Sequence, residues 1–325
     1  MKEYNFDVKK VKDDLIKWIS NWFEINGDNC KAVVGISGGI DSSVVSTLCV
    51  DALGRDRVVG VLMPNGEQKD INDALRIVNY LGIEYHIINI QDAVYTIEKE
   101  VKKALHYNWS TQSSINLPPR IRMSSLYAIS QTLNGRVANT SNLSESYVGF
   151  DTRYGDSVGD FAPLFNLTKT EIKQIAKELN LPDEIVNKAP ADGLTGKSDE
   201  ENFGFTYDVL DKYIRTGIIE DLNIKKKIDE RHAKNLFKLC PMPSFQHGEI
   251  IDNDKMIKLV NSNANIEENE MDADVLVEMF HYFINKGSKN AAELIKGSIL
   301  NGIHKTEEIV KLCDIFIADC DKYMS

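Results

Sequence analysis

Between residues 31 and 140 the chain alternates short apolar runs with longer amphipathic stretches. Lys31–Ile36, Arg57–Met63, Glu84–Ile90 and Gly135–Thr140 read as strands, and Ser42–Leu53, Asp70–Leu81 and Arg120–Leu133 as helices. Gly54, Pro64 and Gly82 punctuate the boundaries. Strands separated by helices pair in parallel through right-handed crossovers. Short apolar strands of this kind suit a sheet covered on both faces. The expected fold is therefore α/β, a doubly wound, mostly parallel sheet with helices on both faces.

The flanking segments add to this frame. Val8, Val11, Leu15, Trp18 and Trp22 recur at helical spacing, with Ile16, Ile19 and Phe23 beside them. That apolar face is broad enough to pack on two sides, a partner subunit being one candidate. Thr168 and Glu171 have capping-box spacing, and the helix they open stops before Pro182. Asn187–Asn202 is polar and glycine-containing, as expected of a long loop. Beyond Gly248 the pattern turns to amphipathic helices, Val275–Ile284 and Thr306–Ile317 among them. The expected division is a domain over residues 1–249 and a helical C-terminal extension over 250–325.

Charge and cysteine usage exclude several function classes. The net charge of -11 argues against a general nucleic-acid binder, which needs Lys and Arg to neutralise phosphates. It leaves room for a local anion site. The five cysteines form no C-x-x-C pair, so zinc-ribbon spacing is absent and reduced, buried thiols are expected. No apolar run approaches a membrane span, and the first residues lack a signal-peptide core. A cytoplasmic protein without nucleic-acid or membrane partners is the expectation.

The most informative stretch lies between the first strand and the helix after it: Gly35-Ile36-Ser37-Gly38-Gly39-Ile40-Asp41-Ser42-Ser43. Adjacent glycines allow a tight turn that exposes backbone N–H groups, and the hydroxyls of Ser37, Ser42 and Ser43 are further donors. The helix start directs its unpaired amides and positive dipole end at the same place. The result is an anion site at the carboxyl end of a parallel strand. It is neither a Walker A loop, for want of Gly-Lys-Ser/Thr, nor a G-x-G-x-x-G dinucleotide fingerprint. Asp41 would repel bound phosphate unless a cation lay between, so it implies Mg²⁺. The simpler alternative is a Gly-Ser turn with a helix-capping Asp.

The S-G-G-x-D-S pattern resembles the pyrophosphate loop of the N-type ATP pyrophosphatases, which cleave ATP to AMP and pyrophosphate while adenylating a substrate oxygen. Further segments narrow the resemblance to NAD synthetases: Pro119-Arg120-Ile121-Arg122-Met123, Asn139-Thr140-Ser141-Asn142-Leu143-Ser144-Glu145 and Thr152-Arg153-Tyr154-Gly155-Asp156. Asp160-Phe161-Ala162-Pro163-Leu164, Leu167-Thr168-Lys169 and Ser198-Asp199-Glu200 follow in order. The resemblance covers roughly residues 10 to 245.

Position by position, the resemblance implies Asp41 and Glu145 as Mg²⁺ ligands. It implies Gly35, Ser37, Gly38, Gly39, Ser42 and Ser43 around the ATP phosphates, with Thr140 and Lys169 also on ATP. Arg120, Arg153, Asp160 and Lys238 would meet deamido-NAD or complete its end of the site. Arg153 stands where many members have Lys, Phe237 where many have His, and Ala191 where a Thr or Ser would touch ATP. Tyr127 and Phe150 are candidates either for stacking on nicotinate or for the core. Asp151, Asp156 and Asp160 lack EF-hand spacing, and Arg153 would oppose a calcium ion among them.

The implied reaction is ATP-dependent amidation of deamido-NAD through an adenylate, with AMP and pyrophosphate released. Asp41, Lys169 and Asp160 are the expected catalytic residues, Asp160 as a candidate for handling the ammonia proton. Only thirty-four residues precede Gly35, and no Cys/His/Glu glutaminase arrangement stands out, so free ammonia or ammonia from a partner is expected. The family is homodimeric, and a homodimer is implied. Another ATP pyrophosphatase, such as a tRNA-modifying enzyme or GMP synthetase, and a non-catalytic nucleotide sensor remain the alternatives.

Overall fold

The computed structural model describes residues 4–67, 71–188 and 198–240. The chain divides into two units, Met1–Leu239 and Cys240–Ser325; the first is described below. The expected boundary at 249/250 and the helices Val275–Ile284 and Thr306–Ile317 lie outside the described residues, as does Ala191.

The first unit is built on a four-stranded, fully parallel sheet in the order β3-β2-β1-β4. Its strands are β1 (Lys31–Gly35), β2 (Val58–Leu62), β3 (Glu84–Ile87) and β4 (Gly135–Ala138). The register pairs Val33 with Val59 on one side and with Val137 on the other. Helix α1 (Val8–Asn26) precedes β1, and α2 (Ile40–Leu53), α3 (Ile71–Leu81), α4 (Gln91–Ala104) and α5 (Thr111–Thr132) lie between the strands in sequence. After β4 come α6 (Leu143–Tyr147), α7 (Lys169–Glu178), α8 (Asp183–Val186), α9 (Asp199–Phe203), α10 (Tyr207–Thr216) and α11 (Leu222–Leu239).

Strand alternation sorts the core into two layers. Ala32 and Val34 pack with Val44, Val45 and Leu48 of α2 and with Ile172 and Ile175 of α7. Val33 and Val61 point the other way, toward Ile90, Val94, Ile121 and Leu126 around α4 and α5. Helices thus cover both faces, as the alternation predicts. The broad face of α1 is also used on two sides, since it packs on α2 and α7 while Trp22 and Phe23 meet the Phe161 ring at 4.9 Å and 5.2 Å.

Three elements differ from the sequence reading. Helix α5 begins at Thr111, nine residues before Arg120, and runs through Pro118 and Pro119. Proline normally ends a helix because it lacks an N–H and crowds the preceding turn. Here both prolines are buried, and tertiary packing overrides the local preference. Helix α4 has no counterpart among the expected elements, and β3 is four residues long rather than seven.

Candidate functional site

The strand order reverses direction at β1: β2 and β3 lie to one side of it and β4 to the other. Loops leaving β1 and β4 therefore diverge above their carboxyl ends and open the crevice where α/β sheets hold ligands. The segment after β1 carries Ser37 to Asp41 into the first turn of α2, and the one after β4 carries Asn139 to Glu145 into α6.

Gly38 has φ 78°, and a Cβ there would stand 2.6 Å from the Ala74 amide nitrogen and 2.8 Å from Asp73 Cβ. Only glycine fits, on conformation and on space alike. Gly39 is the N-cap of α2 and supplies no side-chain hydrogen bond, so the first-turn amides have no such cap. Around them the Ser42 hydroxyl accepts from Ser37 N–H at 3.3 Å, the two serine oxygens are 3.2 Å apart, and Gly39 N–H donates to Ser37 Oγ at 3.2 Å. Ser43 is fully buried, and its hydroxyl donates to the Gly39 carbonyl at 2.7 Å. Ser37 and Ser42 thus border the open amides, whereas Ser43 is turned into the helix.

The same helix start places Asp41 beside two residues from later in the chain. Lys169 Nζ donates to Asp41 Oδ2 at 2.6 Å and to Glu145 Oε1 at 2.8 Å. Each arrives from a capped helix start. Asn142, fully buried, caps α6 by accepting from Glu145 N–H at 3.0 Å, and its amide donates to Asp41 Oδ1 at 3.1 Å. Thr168 and Glu171 form the predicted capping box at the head of α7. Ser144 Oγ accepts from Lys169 N–H at 2.9 Å and donates to Asp211, whose other oxygen accepts from Thr170 N–H at 2.8 Å.

Electrostatics follow from this packing. Burial works against the Lys169 charge, but Asp41 and Glu145 outweigh it and hold the ammonium above the ordinary lysine range. Burial pushes the Glu145 carboxyl up to about 7; Lys169 opposes the rise and Asp41 adds to it. Burial, then Glu145 and Asp199, push the Tyr207 phenol upward, so its hydroxyl stays a donor. That hydroxyl lies 2.9 Å from Asp199 Oδ2 and 3.3 Å from Glu145 Oε1.

The remaining expected residues fall into two further groups. Asp160 follows β4 in space: its Oδ2 accepts from Val137 N–H at 2.7 Å and its Oδ1 from Tyr127 Oη at 3.2 Å. Arg120 Nε donates to the Arg153 carbonyl at 3.3 Å. The Arg153 guanidinium lies over the rings of Tyr154, at 5.0 Å, and Phe237, at 5.2 Å. Lys238 Nζ donates to the Gly149 and Asp151 carbonyls at 2.7 Å and 2.8 Å, tying α11 to that loop. Thr140 is half-buried at the end of β4. Phe150 packs edge-on against Phe203 at 4.7 Å, in the core as one of its two readings allowed.

Sequence reasoning did not assign roles to Asn142, Ser144, Tyr207 or Asp211. Asn142 was legible as an N-cap, since Asn three residues before Glu is a helix-start signal. The other three act across long sequence separations, which local patterns do not register.

Whether the site suits Mg²⁺ is a question of donors. Among the described residues no group of three or more His, Cys, Asp or Glu gathers. Mg²⁺ bound through phosphates needs only one or two carboxylates, the rest of its shell being water and phosphate oxygen. Asp41 and Glu145, already converging on one cation and keeping 18% and 20% of their side-chain surface exposed, fit that requirement.

Comparison with known proteins decides the family. The NAD synthase family model matches residues 11–247. The chain belongs to the NAD synthase family. The NH(3)-dependent NAD(+) synthetase of Thermococcus sibiricus is 40% identical over 225 residues, covering 69% of this chain and 85% of that protein. The one from Methanococcus aeolicus is 43% identical over 215 residues, 62% and 82% of the two chains. Among solved structures, an NMN synthetase from Francisella tularensis superposes with a TM-score of 0.68 at 31% identity, over 74% of this chain and 100% of that one. The NH3-dependent NAD synthetase of Campylobacter jejuni does so with 0.61 at 32%, over 75% and 100%. The parallel sheet with its helices is thus the fold of this family.

Proposed function

We propose that the protein is an ammonia-dependent NAD synthetase, a ligase that amidates the nicotinate carboxylate of deamido-NAD at the expense of ATP. The observation that carries this reading is the convergence of Asp41, Glu145 and Lys169 beside the Ser37–Ser42 loop, in a chain of the NAD synthase family. Residues 1–249 carry the activity, with 250–325 as an extension.

The chemistry follows from charge. A carboxylate resists ammonia because its leaving group would be oxide. Transfer of AMP onto the nicotinate oxygen creates a mixed anhydride, and negative charge builds on the departing pyrophosphate. Gly35, Gly38, Gly39, the first-turn amides of α2, and the Ser37 and Ser42 hydroxyls would receive those oxygens, with Ser43 bracing the turn. Mg²⁺ held by Asp41 and Glu145 would supply Lewis-acid charge at the phosphates. Lys169 would turn its ammonium from the carboxylates to the nucleotide, with Thr140 beside it. Ammonia then attacks the adenylate carbonyl and AMP leaves. Arg120 and Arg153 provide positive charge for the dinucleotide, and Lys238 keeps the nearby loop in place. Asp160, exposed beside Tyr127, is the proposed acceptor of the ammonia proton.

A homodimer is part of the same proposal. Strand β3 is an edge of the sheet and is exposed along its length, Tyr85 and Ile87 included. Among the described residues no further strand pairs with it, and an exposed edge of this kind is normally paired or covered. No helix among the described residues is long and apolar enough to cross a membrane; a cytoplasmic location is part of the proposal.

The likeness to an NMN synthetase structure supports a second reading, in which the acid form of the mononucleotide is the substrate. One experiment separates the two. Deamido-NAD and nicotinate mononucleotide are each supplied with ATP, Mg²⁺ and either ammonium or glutamine, to wild type and Asp41→Ala. NAD formation with ammonium, lost in the variant, supports the first reading. Preferential NMN formation moves the substrate to the mononucleotide. Pyrophosphate release without either amide overturns both.

A further inference from the structure

Tyr207, the first residue of α10, is 4% exposed, and its ring packs with Val148, Phe203, Phe205, Leu210 and Ile228. A phenylalanine would serve that packing. The hydroxyl needs another reason, because burying it is costly without a partner. Its partners are two carboxylates, Asp199 at 2.9 Å and Glu145 at 3.3 Å, and Asp199 is itself 4% exposed. The Lys169 ammonium stands 5.5 Å from the centre of the same ring. The Tyr207 N–H donates to Glu200 Oε1 at 2.9 Å, so α10 and α9 are joined at their first turns. One tyrosine therefore stands beside the ammonium and hydrogen-bonds one of the two converging carboxylates and the acid at the head of α9.

We infer that Tyr207, anchored by Asp199, is a positioning residue that holds the Glu145 carboxylate and the Lys169 ammonium in register; this rests on the reading of Glu145 as a metal ligand. The single hydroxyl proton is shared between the two carboxylate oxygens, as in a three-centre hydrogen bond. Glu145 is then held through Oε1, the oxygen that also meets the Lys169 ammonium. The Tyr207 ring lies beside Lys169, where its face attracts the ammonium. Hydrogen bonds of this kind to a ligating carboxylate orient it toward the metal, and losing one typically costs about tenfold or more in metal affinity.

The test uses Tyr207→Phe, which keeps the ring and deletes the hydroxyl, together with Asp199→Ala and Glu145→Gln. Two quantities are read on the full-length protein. One is the free Mg²⁺ giving half-maximal amide formation. The other is the Mg²⁺ dependence of binding of the α,β-methylene analogue of ATP, followed by calorimetry. The expected result for Tyr207→Phe is a rise of about tenfold in both, with the maximal rate less affected than the metal dependence. Asp199→Ala shifts both in the same direction. Wild-type Mg²⁺ dependence in both variants, whatever their melting temperatures, overturns the inference. If Glu145→Gln shifts the dependence while Tyr207→Phe does not, the positioning role alone falls. If Glu145→Gln is also silent, the metal reading falls with it.

Discussion

The Lys169 ammonium stands 2.6 Å from Asp41 and 2.8 Å from Glu145, between the two carboxylates that would hold the metal. On the proposed metal role, lysine and metal would compete for one position, and ligand binding would be an exchange of cations.

Lys169→Met is expected to leave two facing carboxylates unneutralised. Removing one partner of a largely buried ionic group costs about 3 kcal/mol. Denaturant unfolding of the ligand-free variant should show this loss, and added Mg²⁺ should restore more stability to the variant than to wild type. Amide formation should fall by about 100-fold or more, because the charge aimed at the phosphates is gone. Equal Mg²⁺ responses in the two proteins would falsify the exchange.

Gly38→Ala is expected to abolish ATP binding measured by calorimetry. The residue sits at φ 78°, and the added carbon would meet backbone at 2.6 Å. Strain of about 1–3 kcal/mol would also lower the unfolding midpoint. Unchanged ATP affinity would mean that the loop amides do not bind phosphate.

Phe237→Ala is expected to release the Arg153 guanidinium from one of the two rings beside it. An exposed cation–π contact is worth about 0.5–1 kcal/mol, so KM for the dinucleotide should rise by about two- to fivefold with kcat nearly constant. A change confined to kcat would place Arg153 in the chemistry rather than in substrate binding.

Glu171 links the head of α7 to α10, where Arg215 holds it at 2.7 Å and 2.6 Å and Tyr4 donates to it. Burial alone would raise its carboxyl, but the hydrogen bonds from Arg215, Tyr4 and Thr168 and the Arg215 charge win and depress it below 4.5. A depressed folded-state pKa means that its stabilisation is present above the unfolded value and is lost as pH falls through the folded one. Glu171→Gln should therefore be less stable than wild type at neutral pH, by about 1–3 kcal/mol. The difference should shrink as the pH is lowered below 4.5 in acid unfolding followed by circular dichroism. A gap that widens toward acid would contradict the assignment.

Much of this was legible in the residues themselves. The β1–α2 unit was readable because strand, double glycine and helix start are all local signals, and the Thr168–Glu171 box because its spacing is fixed. Asp41 stands out from its place in the glycine loop, and Glu145 and Lys169 from the family resemblance; their meeting at one point is a product of topology, Asp41 and Lys169 being 128 positions apart. Helix α5 was cut short at Pro119 because local propensity is a weak prior against tertiary packing. The Tyr207–Asp199 pair went unremarked since each residue reads alone as an ordinary core tyrosine or helix-start acid. Arg153 and Phe237 looked like two separate departures, and only the fold shows that they are neighbours.

The stitch from Ser144 through Asp211 to the first turn of α7 fixes the backbones that carry Glu145 and Lys169 independently of the ion pair between them. When the ammonium withdraws, the carboxylates need not collapse or drift apart, because their spacing is set by covalent neighbours and interior hydrogen bonds. The reorganisation needed to load the proposed metal would thereby be confined to the Lys169 side chain. On the proposed metal role, the site would pass between empty and charged states without rebuilding the frame around it.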